Sequence, residues 1–423
     1  MKYLVRNKLL ILILLIMALL FPTTISLPQQ SRSENIVTAV GIDKVGDEYE
    51  LTIQYLIPDS STGQDALKCS SIKEKTVGNA IEKINLDFGK ISSFAHCRVI
   101  VLNDEACKQN MSESLDYLLR NKTNTNNIIL VNTKESAKDL LTSVDNLNSE
   151  FYVVLSRYIV EDKHNQYQDL KTIGDFYNAI LSPNKCVAIT NIDVEQSSTS
   201  SGESSGGESG TSSNEEKGSS GSAKSQNSGG SNSSSEDTSE QKIKNDGKLA
   251  IIKDNKLITT LSSEESKNID WFNPKVKDLT LILNSFTDEV FKEAKITFDV
   301  FKKNSHIFVD FVNGVPKYTL EINANVSILE ATTSGTNADE YKINNKIFSN
   351  KLKEYIKQEI INQLKSAEKN FKQKNFDIVM CYENFNKFKT KEFNNYLKKI
   401  ENKDDYIKNV IFEYDVKINQ WNK

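Results

Sequence analysis

Nucleophilic catalysis needs a Cys or Ser within hydrogen-bonding reach of a base. The chain offers one adjacent candidate pair, His96 and Cys97 in "FAHCRV". Neighbouring side chains on a strand point to opposite faces, so these two cannot easily cooperate. His96 is therefore expected to be a packed or hydrogen-bonded structural residue. The chain has only three histidines; His164 in "DKHNQ" reads as a loop residue and His306 in "KNSHIF" as a strand-edge residue. The five cysteines, Cys69, Cys97, Cys107, Cys186 and Cys381, form no CxxC pair and match no zinc or redox spacing. Structural buried thiols are expected, since a chain of this length does not need staples; a disulfide framework is the alternative. HExxH, P-loop and Gly-rich dinucleotide signatures are all missing from the sequence. The acidic clusters "SSEES" and "NKDDY" read as solvated or helix-end charge. The expectation is a protein that is not an enzyme, with no catalytic, metal or cofactor-binding residues and no cofactor.

Whatever the chain does must then be carried by its elements and its address. At 423 residues it exceeds one core of ordinary size, so two or three domains are expected. A net charge of -4 argues against nucleic acid as a partner, because nothing globally basic is present to release counterions from phosphates. The N-terminus "MKYLVRNKLLILILLIMALLF" places Lys2, Arg6 and Lys8 before an apolar run from Leu9 to Phe21, and the stretch stays uncharged to Leu27. The basic flank keeps the N-terminus inside and exports the remainder of the chain. Residues 1–28 are read as a signal peptide or an uncleaved membrane anchor.

Residues 197–240 are almost entirely Ser, Gly, Asn, Thr, Glu and Lys without one large apolar side chain. Nothing in such a tract offsets the entropy of ordering a backbone, so residues 196–243 are expected as a disordered linker inserted between domains. Before it, "ENIVTAVGIDKVGDEYELTIQYLIP" is a hairpin turning at Gly46 and Asp47. Tyr49, Leu51, Ile53, Tyr55 and Ile57 give its second strand the period of two. Helical spacing through Val77, Ile81 and Ile84, and through Met111, Leu115 and Leu118, alternates with the short apolar strands "CRVIVLND" and "NNIILVNT". That alternation predicts mixed α/β layers. After the tract come a hairpin turning at Asp254 and Asn255 and a short helix capped by Ser262 or Ser263. Two long strands follow, then a helix over approximately Asn345 to Phe371 and a terminal strand in which Val410, Phe412, Tyr414, Val416 and Ile418 share one side.

Four of these blocks together resemble the Ger(x)C family, the C subunits of GerA-type spore germinant receptors. They are the opening hairpin with its Gly41-Ile42-Asp43 core, "SSFAHCRVIVLNDEACKQNMSESLDYLLRN", "GKLAIIKDNKLITTLSSEESKNIDWF", and the long helix with "YIKNVIFEYDVKI". The likeness covers about residues 34–195 and 244–420. It implies a mixed α+β, three-domain architecture with mixed β-sheets flanked by helices, behind the N-terminal hydrophobic segment. The expected divisions are an N-terminal domain over 33–195, a middle segment over 244–290 and a C-terminal domain over 291–423. The resemblance also implies a non-catalytic receptor subunit on the outer face of the inner spore membrane, with A-type and B-type membrane subunits as partners. The alternative is a divergent membrane-anchored extracytoplasmic binding module outside germination. Family members carry a lipobox Cys just after the apolar run, whereas the first cysteine here is Cys69. Lipoprotein anchoring therefore lacks its acceptor, and residues 9–27 are expected to remain as the anchor, since stable attachment otherwise takes two lipid signals or a spanning helix.

Overall fold

The opening hairpin pairs strands β1 (Glu34–Val45) and β2 (Glu48–Pro58) around Gly46, which takes the left-handed conformation at φ 61° that the turn requires. A computed structural model describes residues 34–58, 65–120, 126–143, 151, 153, 155, 170–195, 242–288, 291, 293–333 and 348–421. The expected signal or anchor over 1–28, His164, and the Ser/Gly tract up to residue 241 lie outside the described residues. Lys242 and Ile243, expected at the end of the linker, already belong to a strand and pair with Glu195 and Val194.

Strand β3 (Asp65–Glu74) extends the hairpin, and α1 (Val77–Phe88) follows. Helix α1 starts where the Thr76 hydroxyl accepts from Asn79 N and stops where Gly89 turns left-handed at φ 60°. Next come β4 (Ile91–Ser93), β5 (Val99–Asn103), α2 (Asp104–Arg120), β6 (Ile129–Thr133), α3 (Ala137–Thr142), α4 (Ile173–Leu181) and β7 (Cys186–Glu195). Strands β1, β5, β6 and β7 run parallel, and β8 (Lys242–Lys253) and β9 (Lys256–Leu261) add antiparallel at the far side. The sheet order is β3-β2-β1-β5-β6-β7-β8-β9, with the short β4 beside the start of β1. Thus the Ser/Gly tract joins β7 to β8, two hydrogen-bonded neighbours of one sheet. The β8–β9 turn sits at Asp254 and Asn255, with φ 50° and 67°, as the sequence leads one to expect.

The parallel strands are buried on both faces. Ile100, Leu102 and Leu130 face the cluster formed with α1, α2 and α4, while Val99, Val101 and Val131 face Ala137, Leu140 and Leu141 of α3. Helix α2 breaks at Asn110, whose φ of -149° and ψ of 95° are not helical. There the β8–β9 turn docks: Met111 N donates to Asn255 O at 2.9 Å and Ser112 Oγ to Asn255 Oδ1 at 2.8 Å.

A second sheet, β10 (Leu279–Phe286), β11 (Ala294–Val312), β12 (Val315–Thr333) and β13 (Ile411–Gln420), follows the short helix α5 (Ser263–Asp270). Ser262 caps α5 in a capping box with Glu265. The long β11–β12 hairpin turns at Asn313-Gly314, and β13 pairs with β12 in parallel. Helix α6 (Asn350–Lys374) lays Leu352, Ile356, Ile360, Leu364, Ala367 and Phe371 into this core. It starts after Ser349, whose hydroxyl accepts from Leu352 N, rather than at Asn345, and it runs past Phe371 until Asn375 turns left-handed. Helices α7 (Cys381–Phe388) and α8 (Thr390–Leu397) and the 3-10 helix Lys403–Asn409 complete it. The core of the second sheet also takes in Cys186, Ile251 and Leu261, so the two sheets share buried apolar surface. Residues 244–290 supply β8 and β9 to one sheet and β10 to the other.

Candidate functional site

Each candidate for nucleophilic chemistry is placed against it. Cys97 is buried, while His96 is exposed in the turn before β5. That corrects the expectation of a packed His96; a turn there, instead of a strand, lets the ring point to solvent. His306 lies in β11 beyond Val300, where the ladder with β10 ends and only β12 is paired, so it is a strand-edge residue as expected; it is exposed, with Asn304 Nδ2 at 3.1 Å from its ring nitrogen. None of the five cysteines forms a disulfide, with Cys69 half-buried and the other four buried. Burial pushes Cys97 and Cys107 up to about 12 and raises Cys186 and Cys381 well above the usual thiol range, which makes them inert as nucleophiles. Among the described residues no cluster of three or more His, Cys, Asp and Glu could hold a metal, and no helix is long and apolar enough to cross a membrane.

Polar side chains buried for a structural reason are concentrated instead at two places. The first is the end of β1. A Cβ on Gly41 would lie 3.0 Å from Leu141 Cδ1 and 3.3 Å from Ala137 C, so the bare backbone lets α3 lie directly on the strand. Two residues on, buried Asp43 reaches over the start of the same helix. Its Oδ1 accepts from Ala137 N at 2.7 Å and its Oδ2 from Lys138 N at 2.9 Å. Burial raises the Asp43 carboxyl, and these amides oppose the rise. The Gly41-Ile42-Asp43 block is thus a dock for α3. Beside it, Asn103 Oδ1 accepts from Lys44 N and Ala106 N, and Asn191 Nδ2 donates to Asn132 Oδ1 at 2.7 Å, tying the carboxyl ends of β1, β5, β6 and β7 together.

The second place is the joint between the sheets. Asn184, just before β7, donates from Nδ2 to Asp377 O at 3.1 Å and to Glu383 Oε2 at 3.2 Å. Lys253 of β8 donates to Asn375 O at 2.7 Å. Asp377 is buried and accepts from Cys381 N at 3.0 Å, from Tyr382 N at 2.9 Å and from the Tyr406 hydroxyl. It therefore caps α7 and fixes the 3-10 helix at once. Burial raises the Asp377 carboxyl, and burial plus the charge of Asp377 pushes Glu383 up to about 7. Within the second sheet's own core, Lys303 is turned inward at a bulge where Lys302 has φ 53°. Its ammonium donates to the carbonyls of Asp270, Trp271 and Asn273 at 3.2, 3.1 and 2.9 Å, closing the C-terminus of α5. Burial holds Lys303 down, to about 7, against the pull of Asp270.

A groove of about 760 Å³ opens between the start of α1 and α2, lined by Tyr49, Thr76, Gly78, Glu113, Tyr117 and Arg120 among others. Arg120 already holds Asp116 at 2.8 Å. The groove has two aromatic rings and mixed charge, the make-up of a binding surface. No sequence periodicity marks it, because its residues come from separate elements brought together by helix packing.

Residues 31–194 match the family described as "Spore germination protein N-terminal domain", and residues 247–420 match "Spore germination B3/ GerAC like, C-terminal". Among solved structures the chain is similar to one titled "Crystal Structure of the GerBC protein", at 15% identity and a TM-score of 0.51, over 90% of this chain and 97% of that one. That likeness is one of fold. Comparison with curated proteins returns no match.

Proposed function

The chain belongs to the Ger(x)C family of spore germination proteins, and on that premise we propose that it is the non-catalytic C subunit of a germinant receptor. In this reading it acts in germination through contacts with an A-type and a B-type membrane subunit. The observation that carries the proposal is the order of the two family matches, 31–194 and then 247–420, which take in most of both sheets. The four buried, unreactive thiols and the exposed His96 support a role without catalysis. The three-part division into 33–195, 244–290 and 291–423 is retained, with the middle part as the bridge between the sheets. The apolar segment Leu9–Leu27 holds the chain in the membrane in place of a lipidated cysteine, with the folded part on the extracytoplasmic face.

Affinity capture of the tagged full chain from detergent-solubilised spore inner membranes tests the partner reading. Recovery of one A-type and one B-type subunit with the chain is the expected outcome. Recovery of the chain without either would contradict it.

A further inference from the structure

Among the described residues, the four most exposed large apolar side chains are Leu181 (81%), Leu86 (80%), Ile91 (67%) and Met380 (61%). They are far apart in sequence, yet the topology gathers them at one end of the first sheet. Ile91 of β4 pairs in parallel with Glu34, the first residue of β1. Leu86 is in the last turn of α1, held to β4 by Ser92 N donating to Asn85 Oδ1 at 2.8 Å. Leu181 ends α4 immediately before β7, which runs in the direction of β1 through the parallel ladder of β5 and β6. Met380 precedes α7, whose Glu383 and Asp377 are bonded to Asn184 at the start of β7. All four therefore lie at the amino ends of the parallel strands. From β1 to β7 is three strand spacings, about 14 Å, so the four form one face.

The chain outside the structure enters at this same end. The uncharged segment stops at Leu27, and seven residues later Glu34 begins β1. Seven residues span at most about 25 Å. With Leu9–Leu27 in the bilayer, this face cannot stand far from the lipid surface, and it is where the apolar exposure is greatest. The same end carries exposed Lys90, His96 and Arg98 beside exposed Glu34 and Asp87, a mixed rim suited to the headgroup layer. Single exposed apolar residues are ordinary, but their concentration at the tethered end is not.

We propose that the amino-terminal end of the parallel sheet is a membrane-contact face, with Leu86, Ile91, Leu181 and Met380 seated in the interfacial layer of the phospholipid bilayer. Such apolar side chains enter the headgroup and acyl boundary by ~5–10 Å. The contact would orient the folded part, with the β1–β2 turn and the carboxyl ends of the strands directed away from the membrane. The proposal rests on the reading of Leu9–Leu27 as the anchor.

The test uses the full chain, with Cys69 replaced by Ser, in vesicles of phosphatidylethanolamine and phosphatidylglycerol. An environment-sensitive fluorophore is placed singly by Leu86→Cys, Ile91→Cys, Leu181→Cys, Met380→Cys and, at the opposite end of β1, Val45→Cys. Quenching by spin-labelled lipid at the first four positions, with quenching by aqueous iodide only at Val45, is expected. Iodide quenching at the four positions in a chain that resists carbonate extraction would overturn the contact face and leave the anchor standing. Release of the chain by carbonate would overturn both.

Discussion

Gly41→Val destabilises the chain by about 3 kcal/mol, and Asp43→Ala by a similar amount, read as a lowered urea midpoint with little change in slope. The first follows from contact distances. A Cβ at Gly41 already meets Leu141 and Ala137 at 3.0–3.3 Å, and valine adds two further methyls to that crowded contact. Gly41→Ala needs a shift of a few tenths of an ångström and costs about 1 kcal/mol. The second follows from the two amides that Asp43 satisfies. Their removal leaves the start of α3 with unpaired N–H groups, each costing about 1–3 kcal/mol where water cannot reach. Asp43→Asn keeps one acceptor and falls between wild type and Asp43→Ala. Since Gly41 and Asp43 hold the same helix, the double variant costs less than the sum. An additive double variant would show that the two act on separate contacts.

Asp377→Ala is expected to cost about 3–4 kcal/mol, because it strands the amides of Cys381 and Tyr382 and the hydroxyl of Tyr406 in a buried site. A second readout separates a loosened joint from general unfolding. In the wild type a thiol reagent should reach only Cys69; in Asp377→Ala, Cys186 and Cys381 beside the joint become reactive while Cys97 and Cys107 stay protected. The same joint gives stability a pH dependence. Glu383 is raised from 4.5 to about 7 in the fold, so the folded protein binds that proton more tightly than the unfolded chain. The contribution is complete below pH 4.5 and is lost as the pH rises through about 7. Glu383→Gln cannot ionise against Asp377, so it should match the wild type at pH 4.5 and melt at a higher temperature at pH 8. An unchanged difference between the two pH values would remove Glu383 from the joint's titration.

Local features of the fold were legible because local physics fixes them. The alternation from Tyr49 to Ile57, the Asp254-Asn255 turn and the apolar face of α6 all appear where period and turn chemistry place them. Helix α6 begins at Asn350 because Ser349 takes its cap, a choice that helical spacing alone does not make. Pairing across distance was not legible. Nothing in the tract before Lys242 announces that β8 returns to lie beside β7. The break in α2 at Asn110 depends on a turn more than a hundred residues later. Nothing in the local sequence singles out Asp377 or Lys303; only the packing shows that they close helix ends in buried sites. The resemblance singled out Gly41-Ile42-Asp43 without its reason, which is the close approach of α3.

The central claim is that this chain works in germination as a receptor subunit and contributes no chemistry of its own. Spores from a strain lacking only this chain, tested against a panel of germinants, measure it most directly. The account predicts loss of the response to at least one germinant, restored by the wild-type chain and equally by a His96→Ala, Cys97→Ser chain. Normal responses to every germinant would contradict the claim, and so would a loss that the folded double variant fails to restore.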